Sequence, residues 1–245
     1  MGLTPMMQQY LATHEKVPDA ILFFRLGDFY EMFFDDALTA SKELEIALTG
    51  RDCGLEERAP MCGVPYHAAE SYIAKLVEKG HKVAICEQLE DPALAKGIVK
   101  RDIIKVVSPG TIATDQMLKD KENNFLVSLF SGKTTVGLAY LDISTGTFNT
   151  TELPVDETYS QVMDELGKID PAEIIVNPGF YKQSDAIHKI EERFDCMTNL
   201  FPSQFYEKKK AREMLKEQFS VYSLDSLGLK DHEAAVRASG ALLGY

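Results

Sequence analysis

Residues 20–33 read AILFFRLGDFYEMF. The run from Ala20 to Leu26 is apolar and rich in aromatic residues, which is typical of a buried β-strand. Gly27-Asp28 interrupts the run with two turn-forming residues, and Phe29 to Phe34 follow as a second apolar segment. The stretch therefore predicts a core strand, a turn and a further extended segment.

The sequence on both sides of this stretch alternates between helical and strand patterns. Thr4-Pro5 is a helix start, and Asp35 or Asp36 is predicted to cap a second helix. Residues 50–59 indicate a polar loop, and residues 60–65 a short connector between two prolines. These patterns favour a mixed α/β domain. The predicted elements are helices at 4–14, 35–45 and 67–78 and strands at 82–89 and 102–107.

The strongest boundary signal is Ser108-Pro109-Gly110-Thr111, followed by a polar stretch that ends at Asn124. Beyond it the pattern indicates three strands separated by hairpin turns, then a helix, a strand and further helices to Tyr245. This βββαβα order is that of an RNase H-like fold. The predicted elements are strands at 125–130, 135–143, 147–153 and 173–176 and a helix at 157–168.

The composition is that of a soluble globular protein, with 245 residues, 45% apolar and 26% charged. No apolar run approaches the roughly 20 residues that cross a bilayer, and no signal peptide is evident, so a cytoplasmic location is expected. The net charge of −12 argues against strong, sequence-blind DNA binding, which depends on Lys and Arg. Both halves of the chain, divided at Ile112, are acidic.

Metal and nucleotide sites find little support in the sequence. The four cysteines form no CxxC pair and the five histidines are scattered, so no metal site is expected. Ser131-Gly132-Lys133-Thr134 resembles the end of a phosphate-binding loop, but the Gly that the motif needs is replaced by Val127. A hairpin turn explains this segment better.

Asp142 leaves two interpretations open. An Asp on a central strand of a βββαβα domain is where a metal-dependent nuclease places a carboxylate. That chemistry needs several converging carboxylates, yet no candidate has an apolar strand context that fixes it beside Asp142. The candidates are Asp164, Glu165, Asp170 and Glu173. We favour a non-catalytic fold in which Asp142 caps a turn, with a nuclease as the alternative.

Phe29 and Glu31 are the other candidate pair. On composition alone, a core strand followed by a turn is the simpler interpretation of this segment. The Phe-x-Glu spacing adds a second one, because residues two apart in an extended segment point to the same side. An aromatic ring and a hydrogen-bond acceptor that project together can wedge into and read a base.

Five segments, in this order, resemble the MutS family of DNA mismatch-repair proteins. The likeness covers essentially the whole chain. The segments are residues 3–10 (LTPMMQQY), 25–31 (RLGDFYE), 60–67 (PMCGVPYH), 83–88 (VAICEQ) and 108–111 (SPGT). The resemblance implies a mismatch-recognition domain at 1–112, a linker at 113–124 and a connector domain at 125–245. It also implies an RNase H-like connector without nuclease activity.

The resemblance assigns roles to single residues. Phe29 matches the aromatic wedge that enters from the minor-groove side and stacks on the mispaired base, and Glu31 the residue that hydrogen-bonds that base. Arg51 and the 60–67 loop, Met61 in particular, match positions near the DNA backbone and groove. No residue is expected to be catalytic or to bind a metal.

The resemblance also implies functions outside these residues. The family is a DNA-dependent ATPase and a homodimer, but its ATPase, with the ATP and Mg²⁺ sites, and its lever, clamp and dimerisation regions find no match here. We therefore expect a connector truncated within its last helix near Tyr245, and no enzyme activity or cofactor in this chain. Expected partners are mismatched duplex DNA and a MutL-type repair protein, with a cytoplasmic, nucleoid-associated location and no membrane.

Overall fold

The computed structural model of the chain describes residues 2–90, 97–112, 123–156, 158–194 and 196–245. Its contacts divide the chain into two compact units, which meet in the sequence between Pro109 and Gly110. The predicted linker, residues 113–124, lies outside the described residues except for its last two positions, and so does most of the predicted loop at 91–97. Each unit is described by itself.

The first unit is built on a sheet with the strand order β3-β4-β2-β1-β5-β6. Strand β1 lies inside the sheet, antiparallel to β2 and parallel to β5, which is why its residues Ala20–Phe24 are all buried. The strands are β1 (Ala20–Leu26), β2 (Phe29–Phe33), β3 (Thr49–Arg51), β4 (Ala59–Pro65), β5 (Lys82–Gln88) and β6 (Arg101–Val107), and the helices are α1 (Pro5–His14), α2 (Phe34–Leu44) and α3 (Ala69–Glu78).

Helices cover parts of both faces of this sheet. On one face the Tyr10 ring of α1 packs edge-on against Phe24 and Phe33, at ring-centroid distances of 5.5 and 5.0 Å. On the other face α2 lies against β4, where the Cys62 thiol contacts the carbonyl of Ala37 at 3.5 Å. The cluster around Tyr10 also buries Leu22, Ala84 and Cys86 on the first face, whereas Phe29, at the start of β2, stays exposed.

Two local predictions for the first unit were wrong. Residues 60–65, predicted as a connector, lie within β4, and the two ends of the loop predicted at 50–59 belong to β3 and β4, while residues 52–58 form the loop between these strands. The prolines that suggested irregular structure lie near the ends of β4, where a missing N–H is tolerated. Asp36 does not cap α2. Its carboxylate accepts hydrogen bonds from the Tyr10 hydroxyl at 2.8 Å and from the Leu22 amide at 2.9 Å. Burial and the nearby Asp36 raise the pKa of Tyr10.

The second unit has a sheet with the order β11-β10-β7-β8-β9. Strands β7, β8 and β9, the first three in the sequence, form an antiparallel meander. Strands β10 and β11 continue the sheet beyond β7 and run parallel to it. The mixed α/β, RNase H-like class predicted for this half is confirmed, with one strand more than the sequence suggested. The strands are β7 (Leu126–Ser131), β8 (Thr135–Asp142), β9 (Thr147–Pro154), β10 (Glu173–Val176) and β11 (Met197–Leu200), and the helices are α4 (Ser160–Ile169), α5 (Pro178–Tyr181), α6 (Ser184–Phe194), α7 (Lys208–Gln218) and α8 (Glu233–Leu243).

Small residues let helix α8 approach its neighbours closely. A Cβ added at Gly137 of β8 would overlap the backbone of Ala234, and one added at Gly240 of α8 would overlap Ala211 of α7. Most of α8 is buried, in keeping with its many alanines. Backbone contact between α8 and the middle of the sheet therefore depends on the missing side chain at Gly137.

Asp142 caps the turn between β8 and β9. Its buried carboxylate accepts hydrogen bonds from the Ser144 amide at 2.9 Å, the Ser144 hydroxyl at 2.6 Å and the Asn124 amide at 3.3 Å. Burial alone would raise the pKa of Asp142, but these hydrogen bonds hold it below its ordinary value. Glu173 has different partners, the Gly110 amide, the Asn199 amide group and the Tyr245 hydroxyl. The two carboxylates therefore serve separate hydrogen-bond networks.

Among the described residues, no helix has both the length and the apolar character needed to cross a membrane.

We predict that Gly137→Ala destabilises the chain by about 2–3 kcal/mol, because α8 must move away from the sheet to admit the methyl group. Gly167→Ala is the matched control. It stands in the exposed part of α4, where the new methyl group meets only the guanidinium end of Arg193. This control should be neutral or stabilise by up to about 1 kcal/mol. Urea unfolding of both variants measures the difference, and equal effects would disprove the packing argument.

We predict that Asp142→Asn lowers the free energy of unfolding by about 1–3 kcal/mol at pH 7, because an amide cannot accept all of these hydrogen bonds. The folded-state pKa of Asp142 lies below its unfolded value of about 3.9, so the carboxylate stabilises the fold above that pH. Its contribution is lost as the pH falls through the folded pKa. Unfolding measured from pH 7 to pH 2 should show the difference between the two proteins shrinking below about pH 4, and a constant difference would contradict this account.

Candidate functional site

The candidate site is the tip of the β1–β2 hairpin. Leu26 pairs with Phe29, so Gly27-Asp28 form a two-residue turn between the strands. Gly27 has a φ of 58°, a conformation that glycine adopts without strain at the first position of such a turn. The Phe29 ring directly after the turn is 46% exposed, whereas Tyr30 and Met32 are buried. The hairpin thus presents one aromatic ring at its end.

Strand register brings the four residues predicted to contact DNA onto one face of the sheet. Phe29 and Glu31 lie two apart in β2 and share a face. Met61 shares it too, because it pairs with Phe33, and Arg51 lies opposite Ala59, two residues before Met61. This is the face that α1 covers at Phe24 and Phe33. The structure therefore brings all four predicted residues together on one surface, while their roles stay predictions.

Glu31 forms an ion pair with Arg51. The Arg51 Nη1 donates to the Glu31 Oε2, and the side chains are 38% and 15% exposed respectively. The pair joins β2 to β3 across β4, so two residues predicted to act separately are direct partners. The sequence does not indicate this contact, because the polar stretch at 50–59 favours a loop at Arg51.

Gly63 makes room for this ion pair. It lies in β4 directly opposite Glu31, and a Cβ there would stand 3.5 Å from the Glu31 Cγ and 3.2 Å from the Tyr30 carbonyl oxygen. A larger side chain would therefore crowd the carboxylate. The sequence offered only a glycine between two apolar residues as a signal, which did not single out this position.

Arg25 holds the hairpin turn in place. Its Nε donates to the Gly27 carbonyl at 2.6 Å, its guanidinium lies 3.7 Å from the centroid of the Tyr66 ring, and its Nη1 is 3.4 Å from the Glu87 carboxylate. The Tyr66 amide in turn donates to the Asp28 carbonyl at 2.9 Å. Both residues of the turn are thus tied to neighbouring elements.

Tyr30 completes this network from the buried side of β2. Its hydroxyl donates a hydrogen bond to the Glu87 carboxylate. Burial, and then this bond to Glu87, raise the pKa of Tyr30 to about 12, so the hydroxyl keeps its proton at neutral pH. No pattern in the sequence predicted that Arg25, Tyr66 and Glu87 support the turn, because these residues lie far apart in the chain.

The cysteine thiols lie in the interior of the protein. All four cysteines are buried, and burial raises the pKa of Cys62 to about 11 and that of Cys86 to about 12, which keeps both thiols protonated. Within the described ranges, no three His, Cys, Asp or Glu side chains lie close enough together to hold a metal ion.

Two family models match the chain. The model for MutS domain I matches residues 4–116, and the model for MutS domain II matches residues 124–245.

Curated relatives match it over its full length. A protein from Acetivibrio thermocellus named DNA mismatch repair protein MutS is 51% identical over 244 residues, which cover 100% of this chain and 28% of that relative. Proteins of the same name from Lachnoclostridium phytofermentans and Ruminiclostridium cellulolyticum are 52% and 53% identical over 243 residues, covering 99% of this chain and 26% and 28% of theirs. The chain thus spans about a quarter of the length of these relatives. It belongs to the MutS family and carries that family's domains I and II.

Proposed function

We propose that this chain recognises mismatched or unpaired bases in duplex DNA and so serves to initiate mismatch repair. The observation that carries the proposal is the tip of the first unit, where an exposed Phe29 ring and the Glu31 carboxylate share one face of a hairpin. The turn beneath them is fixed by Arg25. A rigid ring beside a hydrogen-bond acceptor is suited to probing a base pair.

In this mechanism Phe29 is the wedge. Inserted from the minor-groove side, its ring stacks on the mispaired base and kinks the duplex. A mispaired step is easier to unstack and bend than a paired one, and this difference in deformation energy becomes selectivity. Because the ring senses deformability and makes no base-specific hydrogen bond, one residue can detect many kinds of mismatch.

Glu31 contacts the same mispaired base on which Phe29 stacks. Its carboxylate accepts a hydrogen bond from that base, and without such a donor it is unfavourable beside the phosphates. Ordinary duplex is therefore penalised and a mismatch is not. Arg51 and Met61 lie on the same face of the sheet, and both would lie near the DNA backbone and groove.

We propose a connecting role without catalysis for the second unit. The hydrogen bonds to Asp142 cap a turn, and Glu173 is held by other partners, so the arrangement does not favour the nuclease alternative. This unit would instead contact a MutL-type repair protein. Homodimerisation, and ATP hydrolysis with Mg²⁺, would belong to the rest of a full-length MutS protein, since the relatives are about four times longer.

We predict that Phe29→Ala, in a full-length MutS-family protein carrying this chain, lowers the preference for mismatched over matched duplex by about tenfold or more, because a stacked aromatic ring is lost. Leu38→Ala is the matched control. Leu38 is also 46% exposed but lies on α2, away from the hairpin tip. Binding to a G·T mismatch and to its matched duplex measures both ratios. Retained discrimination in Phe29→Ala would refute the role given to this ring.

We predict that the isolated chain binds any DNA only weakly. Its net charge of −12 opposes association with phosphates, so we expect a Kd of about 10⁻⁶ M or weaker at physiological salt. Titrations of matched and mismatched duplex at several salt concentrations measure this affinity. Tight binding that resists salt would show that discrimination and affinity reside in the same residues, contrary to the proposal.

A further inference from the structure

The ion pair between Glu31 and Arg51 engages one oxygen of the carboxylate. Arg51 donates to Oε2, and within the part of the chain that the structure describes, no group donates a hydrogen bond to Oε1. A carboxylate can accept several hydrogen bonds, about two on each oxygen. One side of Glu31 is therefore held by the protein, while the other is open to a ligand.

The surroundings of Glu31 give it this partner alone. Arg25, a cation on a neighbouring strand, is bonded to Glu87, Tyr66 and Gly27. The cross-strand neighbours of Glu31 are Gly63, which contributes no side chain, and Phe24, which is apolar. Arg101, whose guanidinium lies over the Phe24 ring, donates instead to the Gln9 side chain and the Arg25 carbonyl. Among the described residues, Arg51 is thus the cation that balances the Glu31 charge.

Partial burial gives the pair more weight than an ordinary surface ion pair. The Glu31 side chain is only 15% exposed, so its charge is poorly screened, and a guanidinium that donates to it fixes its orientation as well as balancing it. Without Arg51, the carboxylate would lose the donor that orients it and would meet DNA as an uncompensated negative charge.

We propose that Arg51 is a positioning residue for Glu31, which holds Oε2 so that Oε1 is presented to the mispaired base. This inference rests on the proposed function of Glu31. It gives Arg51 a role in specificity that differs from the phosphate contact suggested by resemblance. A phosphate contact strengthens binding to every duplex alike, whereas a positioning residue changes the ratio between mismatched and matched duplex.

A double-mutant cycle separates the two roles. Arg51→Ala, Glu31→Ala and the combined variant are made in a full-length MutS-family protein carrying this chain, and binding to a G·T mismatch and to its matched duplex is measured for each. If Arg51 acts through Glu31, Arg51→Ala lowers the mismatch preference by about fivefold or more when Glu31 is present and by less than about twofold when it is absent.

Two further variants control for the loss of charge and for a failure of Arg51→Ala to fold. Arg58→Ala removes a positive charge from the same β3–β4 connection, where Arg58 is exposed, and should leave the preference unchanged. Arg51→Lys keeps the charge but lacks the planar donor group, so it should restore only part of the preference. Because Lys conserves the residue's size and charge, it also covers the case in which Arg51→Ala fails to fold.

The outcomes distinguish this inference from the proposed function. If Glu31→Ala leaves the mismatch preference intact, both are overturned. If Glu31→Ala lowers the preference but Arg51→Ala reduces mismatched and matched binding equally, with the same effect in both backgrounds, only the inference is overturned and Arg51 is a phosphate contact. An unchanged preference in both Arg51 variants overturns it as well.

Discussion

The hydrogen bond from Arg25 to the carbonyl of Gly27 is the constraint on which the rest of the site depends. An aromatic ring can push into a base stack only if the strand that carries it does not yield. Arg25 supplies this stiffness by joining the turn to the Tyr66 ring and the Glu87 carboxylate, on the side of the sheet opposite Glu31. The ordering cost of the hairpin is thus met during folding, before any DNA is bound.

The negative charge of the chain indicates that preference for a mismatch and affinity for DNA come from different parts of the protein. At −12 the chain is poorly suited to holding DNA by counterion release, and the reading face itself carries a carboxylate. Its partner Arg51 engages one oxygen of this carboxylate, so the other oxygen still penalises ordinary duplex unless a base donates a hydrogen bond to it. An acidic recognition domain fits this account if another part of a longer protein supplies the attraction for phosphates. When binding to every duplex is weak, a small difference in deformation energy between mismatched and matched DNA changes the ratio of the two affinities.

The sequence predicted the hairpin residues and the class of both units because those features are local. The apolar run at Ala20, the break at Gly27 and the spacing of Phe29 and Glu31 follow from periodicity and turn chemistry. It failed where distant residues meet. Strand β4 resembled a connector because Pro60 and Pro65 lie near its ends, and Asp36 resembled a helix cap although its partners lie on α1 and β1. The pairing of Glu31 with Arg51 crosses an intervening strand, and no pattern within either segment indicates it.

The most direct test of the central claim is a structure of a full-length MutS-family protein carrying this chain, bound to a duplex with a single mismatch. The account predicts a kinked duplex, with the Phe29 ring stacked on the mispaired base from the minor-groove side and the Glu31 carboxylate within about 3 Å of a donor on that base. A straight duplex, or a complex in which Phe29 lies away from the mismatch, would contradict it.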